Sequence, residues 1–205
     1  MRRHEPLNMT RIREALQAYQ PEKKPVNERG HAAVAMLLRE RDSRPEVLFI
    51  VRALHEQDPW SGNIGFPGGR LSYAEETPQQ AAERETLEEL AVDLQQARWL
   101  GQLDDLYGAI MPVLVSCFVY QTEEPLLLQP NYEIAKTFWC PLATLLEPAR
   151  HQHETFAYRG LKRTHPVVDL LGEEQPFLWG ITFRLLQNFF AACDLPFGPN
   201  PYGQQ

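Results

Sequence analysis

Apolar and polar positions along the chain form blocks of strand length. Residues 31–39 and 46–53 are apolar runs separated by a short polar turn, a pattern typical of two consecutive strands. Residues 64–69 form a brief apolar piece that ends in a glycine-rich turn, and residues 151–166 are polar and predict a loop or a hairpin. Further strands are predicted over residues 99–106, 111–120 and 133–139.

Helical spacing of apolar residues predicts a short amphipathic helix over residues 8–19 and a final helix over residues 179–192. Residues 141–146 predict a helical turn. Strands that surround one early helix and precede another are typical of an α+β domain, in which a sheet lies between layers of helices.

The early helix has a start signal of its own. Thr77 suits the N-cap, Pro78 suits the first helical position, and Gln80 completes a capping box with Thr77. We expect this helix to run to about Ala91 or Leu94.

Composition limits the class of protein. With 205 residues, 43% of them hydrophobic and 23% charged, the chain is long and apolar enough to bury a core. We expect an N-terminal helix and linker (1–28), one domain (29–195) and a C-terminal tail (196–205). No apolar run approaches the roughly 20 residues that a membrane span requires. The three widely separated cysteines, Cys117, Cys140 and Cys193, predict buried free thiols in a cytoplasmic protein.

Negative charge is concentrated in one window. The chain has a formal net charge of −7, and residues 75–93 contain seven acids and one base, a local net charge of −6. No basic cluster stands elsewhere, which argues against electrostatic binding of nucleic acid. Most of the charge therefore belongs to one helix and its flanks. The seven acids are Glu75, Glu76, Glu83, Glu85, Glu88, Glu89 and Asp93.

Helical geometry places the base and three of these acids on one face of the predicted helix, with Ala82, Thr86, Leu87 and Leu90 on the opposite arc. The residues of the acidic face are Arg84, Glu85, Glu88 and Glu89. Like charges at this spacing destabilise a helix by a few tenths of a kcal/mol. A hard divalent cation removes that cost, because Mg²⁺ and similar ions prefer carboxylate oxygens and keep substrate phosphates as further ligands.

This segment resembles the box of the Nudix hydrolase family, G-x5-E-x7-R-E-U-x-E-E-x-G-U, in which U is aliphatic. The matching residues are Gly68-Gly69, Glu76 and Arg84-Glu85-Thr86-Leu87-Glu88-Glu89-Leu90-Ala91-Val92. The loop before Glu76 is one residue longer than in the box, and Thr86 replaces the aliphatic residue. Ala91 replaces the late glycine, from which we expect that the helix end needs no left-handed residue.

The resemblance implies a Nudix fold, with a mixed central sheet between helices and the box as a loop, a helix and a loop. It implies hydrolysis of a diphosphate with Mg²⁺ or Mn²⁺ as cofactor. Glu85 and Glu89 would be the principal metal ligands, Glu88 a further ligand or a holder of metal-bound water, and the Gly68 carbonyl a further donor. Arg84 would orient these carboxylates and Glu76 would brace the loop. The general base would be a box glutamate or Glu133.

A second resemblance, to the coenzyme A diphosphatase branch, rests on Arg52, Gly62 and Phe66-Pro67-Gly68-Gly69, and on the later Trp179-Gly180-Ile181-Thr182. Residues 58–61 and Asn63 depart from that branch. It implies coenzyme A or acyl-CoA as substrate, cleaved to 3′,5′-ADP and (acyl-)4′-phosphopantetheine. The predicted substrate-binding residues are Arg52, Gly68, Gly69, Arg70 and Trp60. Lys162 and Arg163 are further candidate phosphate contacts. Trp60 and Tyr73 would stack on adenine or simply anchor loops.

Two alternatives stay open. The chain would hydrolyse another nucleotide, such as NADH, ADP-ribose, a nucleotide sugar, a dinucleoside polyphosphate or a nucleoside triphosphate. Otherwise it would be a Nudix-fold binding module without turnover. The predicted partner is a small nucleotide, and a homodimer is compatible with the sequence.

Overall fold

The computed structural model describes residues 7–55, 60–73, 75–108, 113–123, 125–158 and 161–198. The helices are α1 (Met9–Ala18), α2 (Pro78–Leu90), α3 (Leu142–Leu145) and α4 (Gly180–Ala192). The strands are β1 (His31–Arg41), β2 (Arg44–Arg52), β3 (Ile64–Gly65), β4 (Gly68–Arg70), β5 (Arg98–Gln102), β6 (Leu106–Tyr107), β7 (Leu114–Gln121), β8 (Ile134–Pro141), β9 (His151–Tyr158) and β10 (Leu161–Val168).

A mixed sheet forms the centre of the domain. Its main path runs β3-β2-β1-β7-β5, while β4 pairs with β1, β6 with β7 and β8 with β2. The β1–β7 pair is parallel and the other pairs are antiparallel. Strands β9 and β10 form a separate antiparallel hairpin. The apolar runs therefore pair as the sequence pattern indicates, and the polar segment 151–166 lies in the hairpin.

Each face of the sheet carries its own core. Phe49 and Val51 of β2 pack with α1 and α4, whereas Leu48 and Ile50 pack with α2, as the alternation of side chains along a strand requires. Helix α1 contributes fully buried apolar residues to the first core. The predicted fold class, an α+β sheet between helices, is confirmed. Among the described residues, no helix has the length and apolarity to cross a membrane.

Helix α2 begins as its sequence predicts. The Thr77 hydroxyl accepts the Gln80 N–H, and the Gln80 side chain accepts the Thr77 N–H, which is a complete capping box. The predicted division of α2 into an acidic face and an apolar face is wrong at two positions. Glu89 is 2% exposed and Leu87 is 51% exposed, so Glu89 rather than Leu87 points toward the sheet. A hydrogen bond from the neighbouring strand β4 holds the Glu89 carboxyl in this buried position.

Three other expectations, two about strands and one about the end of α2, are wrong in detail. Gly68 and Gly69 form part of strand β4, paired with β1, and not a turn. The single strand predicted over 99–106 is two short strands, β5 and β6, because the ladder with β7 is interrupted at residues 103–105, where the Asp105 N–H donates to the Glu22 carbonyl. Met111 and Pro112, placed in the next predicted strand, lie outside the described residues, as do residues 1–6 and 199–205.

The end of α2 is the third correction. Ala91 adopts the left-handed conformation, with φ 57° and ψ 33°, and its N–H donates to the Leu87 carbonyl. The chain must reverse here because Val92 returns to the core, where it is 4% exposed. The expectation that this end needs no left-handed residue is therefore wrong.

We predict that Ala91→Gly raises the free energy of unfolding by about 0.5–1 kcal/mol, because an L-residue in this conformation costs about 1–2 kcal/mol and glycine adds only backbone entropy to the unfolded chain. Urea denaturation measures the change. Ala97→Gly is the matched control, because Ala97 has an extended backbone with φ −92°. A less stable Ala91→Gly protein would contradict the prediction.

Candidate active site

The Arg84 guanidinium lies at the centre of a network of acids on α2 and the loop before it. Its Nε lies 2.8 Å from Glu76 Oε1 and its Nη1 lies 2.8 Å from Glu85 Oε1. The same Nη1 lies 3.4 Å from Glu88 Oε2. Charge-assisted hydrogen bonds of this kind fix the direction of each carboxylate. Arg84 therefore holds two carboxylates of its own helix and one of the preceding loop.

Glu76 fastens that loop to the helix. Its carboxylate is 7% exposed and accepts the Ser72 N–H at 2.6 Å as well as the Arg84 guanidinium. The hydrogen bond from Arg84 holds the pKa of Glu76 below its usual range, against the opposing effect of burial. Arg84 Nη2 also donates to the Arg70 carbonyl at 3.1 Å, which fixes the other end of the loop.

Glu89 is a buried carboxyl held against strand β4. Its Oε2 accepts the Gly68 N–H at 3.0 Å, and its Oε1 lies 3.5 Å from Arg52 Nη1. Burial raises the pKa of Glu89 to about 7, and the charges of Glu85 and Glu133 add to that rise. The Gly68 bond and the Arg52 charge oppose it but do not outweigh burial. Glu89 therefore either holds a proton at this position or, as an anion, requires a nearby cation. It lies beside the loop of the box.

The two glycines of β4 are required by close packing. A Cβ on Gly69 would lie 2.4 Å from the Glu85 carboxyl carbon, so the missing side chain makes room for that carboxylate. A Cβ on Gly68 would lie 2.2 Å from the Ala33 carbonyl oxygen and 2.6 Å from the Val34 Cα, and Gly68 has φ +148°. Gly68 is therefore needed for packing within the sheet, and Gly69 is needed to make room for the acidic site.

Glu133 enters the site through a turn that is bonded to the end of α2. Asn131 donates its N–H to the Glu89 carbonyl at 2.9 Å and its side-chain amide to the Glu88 carbonyl at 3.1 Å. Its side-chain oxygen accepts the Glu133 N–H at 2.8 Å. Sequence reasoning missed Asn131. The one signal for it in the sequence is that Asn131 stands two residues before Glu133. An asparagine side chain in a turn often accepts the backbone N–H of the residue two positions later.

The segment before the box is tied to the start of α4. Trp179 Nε1 donates to Asn63 Oδ1 at 3.1 Å, and Thr182 Oγ1 donates to the Ile64 carbonyl at 3.2 Å. Trp179 also stacks on Phe156 of the β9–β10 hairpin, with ring centroids 4.2 Å apart. The two segments that carry the second resemblance therefore meet in space, although they are more than 110 residues apart.

The other predicted substrate-binding residues occupy different parts of the structure. The Arg52 guanidinium reaches Glu89, whereas Arg70 Nη1 donates to the Arg29 carbonyl at 3.1 Å. Trp60 and Tyr73 are 37% and 60% exposed. Lys162 and Arg163 are exposed on β10, and residues 58 and 59 lie outside the described residues.

Three box glutamates supply the hard oxygen donors that Mg²⁺ or Mn²⁺ prefers, so the donor chemistry fits such an ion. In the described part of the chain, no three His, Cys, Asp or Glu side chains converge as a ready-made metal group. The reason is visible in the bonds above, because Glu85 is turned onto Arg84 and Glu89 onto the Gly68 N–H. Each carboxylate has a second oxygen, so binding a cation would not require Arg84 or the Gly68 amide to release it.

A mixed sheet between helices, with an acidic site on a loop, a helix and a loop, defines a NUDIX-type domain. A family model of the NUDIX domain matches residues 29–160. The chain belongs to the NUDIX family, and the predicted membership is confirmed.

Individual relatives are more distant. A Schizosaccharomyces pombe protein described as uncharacterised is 36% identical over 133 residues, covering 60% of this chain and 40% of that protein. The human mitochondrial coenzyme A diphosphatase NUDT8 is 30% identical over 143 residues, covering 67% and 58%. The Nudix hydrolase NudL of Salmonella dublin is 27% identical over 172 residues, covering 80% and 82%. The chain thus spans about half the length of the first two relatives.

The raised pKa of Glu89 makes the stability of the metal-free protein depend on pH. The folded protein binds this proton more tightly than the unfolded chain, in which the pKa is near 4.5. The stabilising effect of the proton is therefore complete below about pH 4.5 and is lost as the pH rises to about 7, with a cost of up to about 3 kcal/mol.

We predict that Glu89→Gln removes this loss, because glutamine stays neutral and still accepts the Gly68 N–H. In EDTA, urea unfolding should show the variant gaining about 2–3 kcal/mol relative to the parent protein between pH 5 and pH 8. Glu88→Gln is the matched control, since the Glu88 side chain is 57% exposed. Equal pH dependence of the Glu89→Gln variant and the parent protein would count against the account.

Proposed function

We propose that the chain is a metal-dependent hydrolase that cleaves the diphosphate linkage of a nucleoside diphosphate derivative. The observation that carries the proposal is the Arg84 network, which holds Glu85 and Glu88 on one turn of α2, with Glu89 adjacent at the Gly68 amide. A solvated acidic face would not require a central arginine, a braced loop and a glycine in contact with one carboxylate. Family membership supports the same reaction type.

Glu85, Glu88 and Glu89 would hold Mg²⁺ or Mn²⁺, with the Gly68 carbonyl as the further predicted donor. The bound ion supplies charge neutralisation at the diphosphate and a more acidic water. Arg52 lies beside Glu89 and would bind a phosphate oxygen, because its guanidinium is the nearest cation to that carboxyl on the sheet side. Glu133, whose charge acts on Glu89, would take the proton from the attacking water at its carboxylate.

Coenzyme A or acyl-CoA is the first candidate substrate, with 3′,5′-ADP and (acyl-)4′-phosphopantetheine as products. The human relative named as a coenzyme A diphosphatase supports it. So does the Asn63–Trp179 bond, which joins the two segments that carry the branch resemblance. Other nucleotides remain the rival substrates, and a non-catalytic binding module is disfavoured because binding alone does not need the complete acidic set. A cytoplasmic location, a homodimer and a lack of nucleic-acid binding stay predictions.

We predict that Glu85→Gln and Glu89→Gln each lower kcat/KM in Mg²⁺ by more than about 100-fold, beyond the ~10–100-fold cost typical of residues that only support a metal ligand. The amides keep the Arg84 and Gly68 hydrogen bonds, so the unfolding midpoints in EDTA should not fall. Glu40→Gln is the matched control, because Glu40 is an exposed acid near the far end of β1. Full activity in both site variants would contradict the assignment.

A substrate panel separates the candidates. Coenzyme A, NADH, ADP-ribose and diadenosine polyphosphates are assayed with Mg²⁺ and with Mn²⁺, and we expect the highest kcat/KM with coenzyme A. If coenzyme A ranks last in the panel, the proposed substrate is wrong while the hydrolase proposal stands. If no member is cleaved, the hydrolase proposal itself fails.

A further inference from the structure

Two apolar side chains beside the acidic site are almost completely exposed. Leu54 and Tyr132 are each 88% exposed, more than any of the other large apolar residues in the described part of the chain. Leu54 lies two residues after Arg52, and Tyr132 lies one residue before Glu133. Single exposed apolar residues are common on protein surfaces. What distinguishes this pair is its position, which backbone contacts fix.

Backbone pairing brings the segments that carry the two residues together. Arg52 pairs with Ile134 at the end of the β2–β8 ladder, and the Ala53 N–H donates to the Glu133 carbonyl at 2.7 Å. Leu54 directly follows this bonded pair in one segment, and Tyr132 directly precedes it in the other. The two side chains therefore extend from adjacent stretches of backbone, from which both can reach one flat ligand.

Both backbones are held in place before any ligand binds. Tyr132 occupies the corner of a turn closed by the bond from the Ile134 N–H to the Asn131 carbonyl, at 3.2 Å. Asn131 in turn bonds the Glu88 and Glu89 carbonyls at the end of α2. Beyond Leu54, the His55 N–H donates to Ser61 Oγ at 2.7 Å. The backbone therefore loses little conformational entropy when a ligand rests on this pair.

The pair adjoins residues that contact the acidic site. Leu54 comes two residues after Arg52, whose guanidinium reaches Glu89. Tyr132 follows Asn131, which bonds the Glu88 and Glu89 carbonyls. Two residues of extended chain span about 7 Å, so the Arg52 cation and the apolar Leu54 are separated by about this distance along the chain. A nucleoside diphosphate has the same arrangement, with its anionic group and its flat base on opposite sides of the ribose.

We propose that Leu54 and Tyr132 form the nucleobase subsite of the proposed active site, with the base stacked on the Tyr132 ring and its edge against Leu54. This inference rests on the proposed function, because it takes the diphosphate to bind at Arg52 and the box glutamates. Stacking on an aromatic ring needs its face and not its hydroxyl. Tyr73, 60% exposed in the loop before α2, is the rival stacking residue.

The test is the binding of two probes, ADP and inorganic pyrophosphate, by isothermal titration calorimetry in Mg²⁺. Pyrophosphate has the phosphates of ADP but no base. We expect Tyr132→Ala to weaken ADP binding by about 10-fold or more, as loss of a stacking ring does, and to leave pyrophosphate binding unchanged. Leu54→Ala should show the same selective loss to a smaller degree, and Tyr132→Phe should bind ADP as the parent protein does.

Leu127→Ala is the matched control, because Leu127 is a 78% exposed leucine outside the pair. The proposal is overturned if Tyr132→Ala binds ADP normally, if it loses both probes equally, or if the parent protein binds ADP no more tightly than pyrophosphate. Selective loss of ADP in Tyr73→Ala alone would assign the base to the box loop instead. These outcomes are independent of turnover, so an inactive protein with Tyr132-dependent ADP binding would refute the hydrolase and not the subsite.

Discussion

The Arg84 guanidinium brings together carboxylates that would otherwise repel one another. It contacts Glu76, Glu85 and Glu88, and it donates to the backbone at Arg70. Its own side chain is 20% exposed, so these contacts are only partly screened by water. Removing one partner of such a pair leaves a charge in a poorly solvated position, at a cost of about 3–5 kcal/mol when burial is complete. The shape of the loop, the direction of Glu85 and the tolerance of an acidic helix all depend on this one cation.

Strand β4 connects the acidic site to the fold. Because it pairs with β1 on one side and meets α2 on the other, its two glycines are the positions where sheet backbone and box carboxylates come closest. The Gly68 N–H faces Glu89, whose burial raises its pKa to about 7. A carboxyl that is costly to ionise alone is stabilised as an anion by a cation. A divalent ion bound there would offset the cost of ionising Glu89.

Local signals in the sequence were sufficient for most of the elements and for part of the candidate site. The capping box at Thr77 could be predicted because its two partners are three residues apart. The left-handed Ala91 and the burial of Glu89 could not, since both depend on how α2 docks on the sheet. The Asn63–Trp179 bond and the bonds of Asn131 to α2 join residues far apart in the chain. Their partners are fixed by strand order, which periodicity does not reveal.

We propose that Glu85 is placed for metal binding by the absence of a side chain at position 69. Mn²⁺ affinity of Gly69→Ala, measured by calorimetry together with its unfolding midpoint, tests this most directly. A Cβ there meets the Glu85 carboxylate, which can move, whereas a Cβ at position 68 meets the backbone of β1, which cannot. We expect Gly69→Ala to lose about 10-fold or more in Mn²⁺ affinity, as disturbed metal ligands do, with nearly unchanged stability. Unchanged Mn²⁺ affinity in a folded Gly69→Ala protein would contradict the claim.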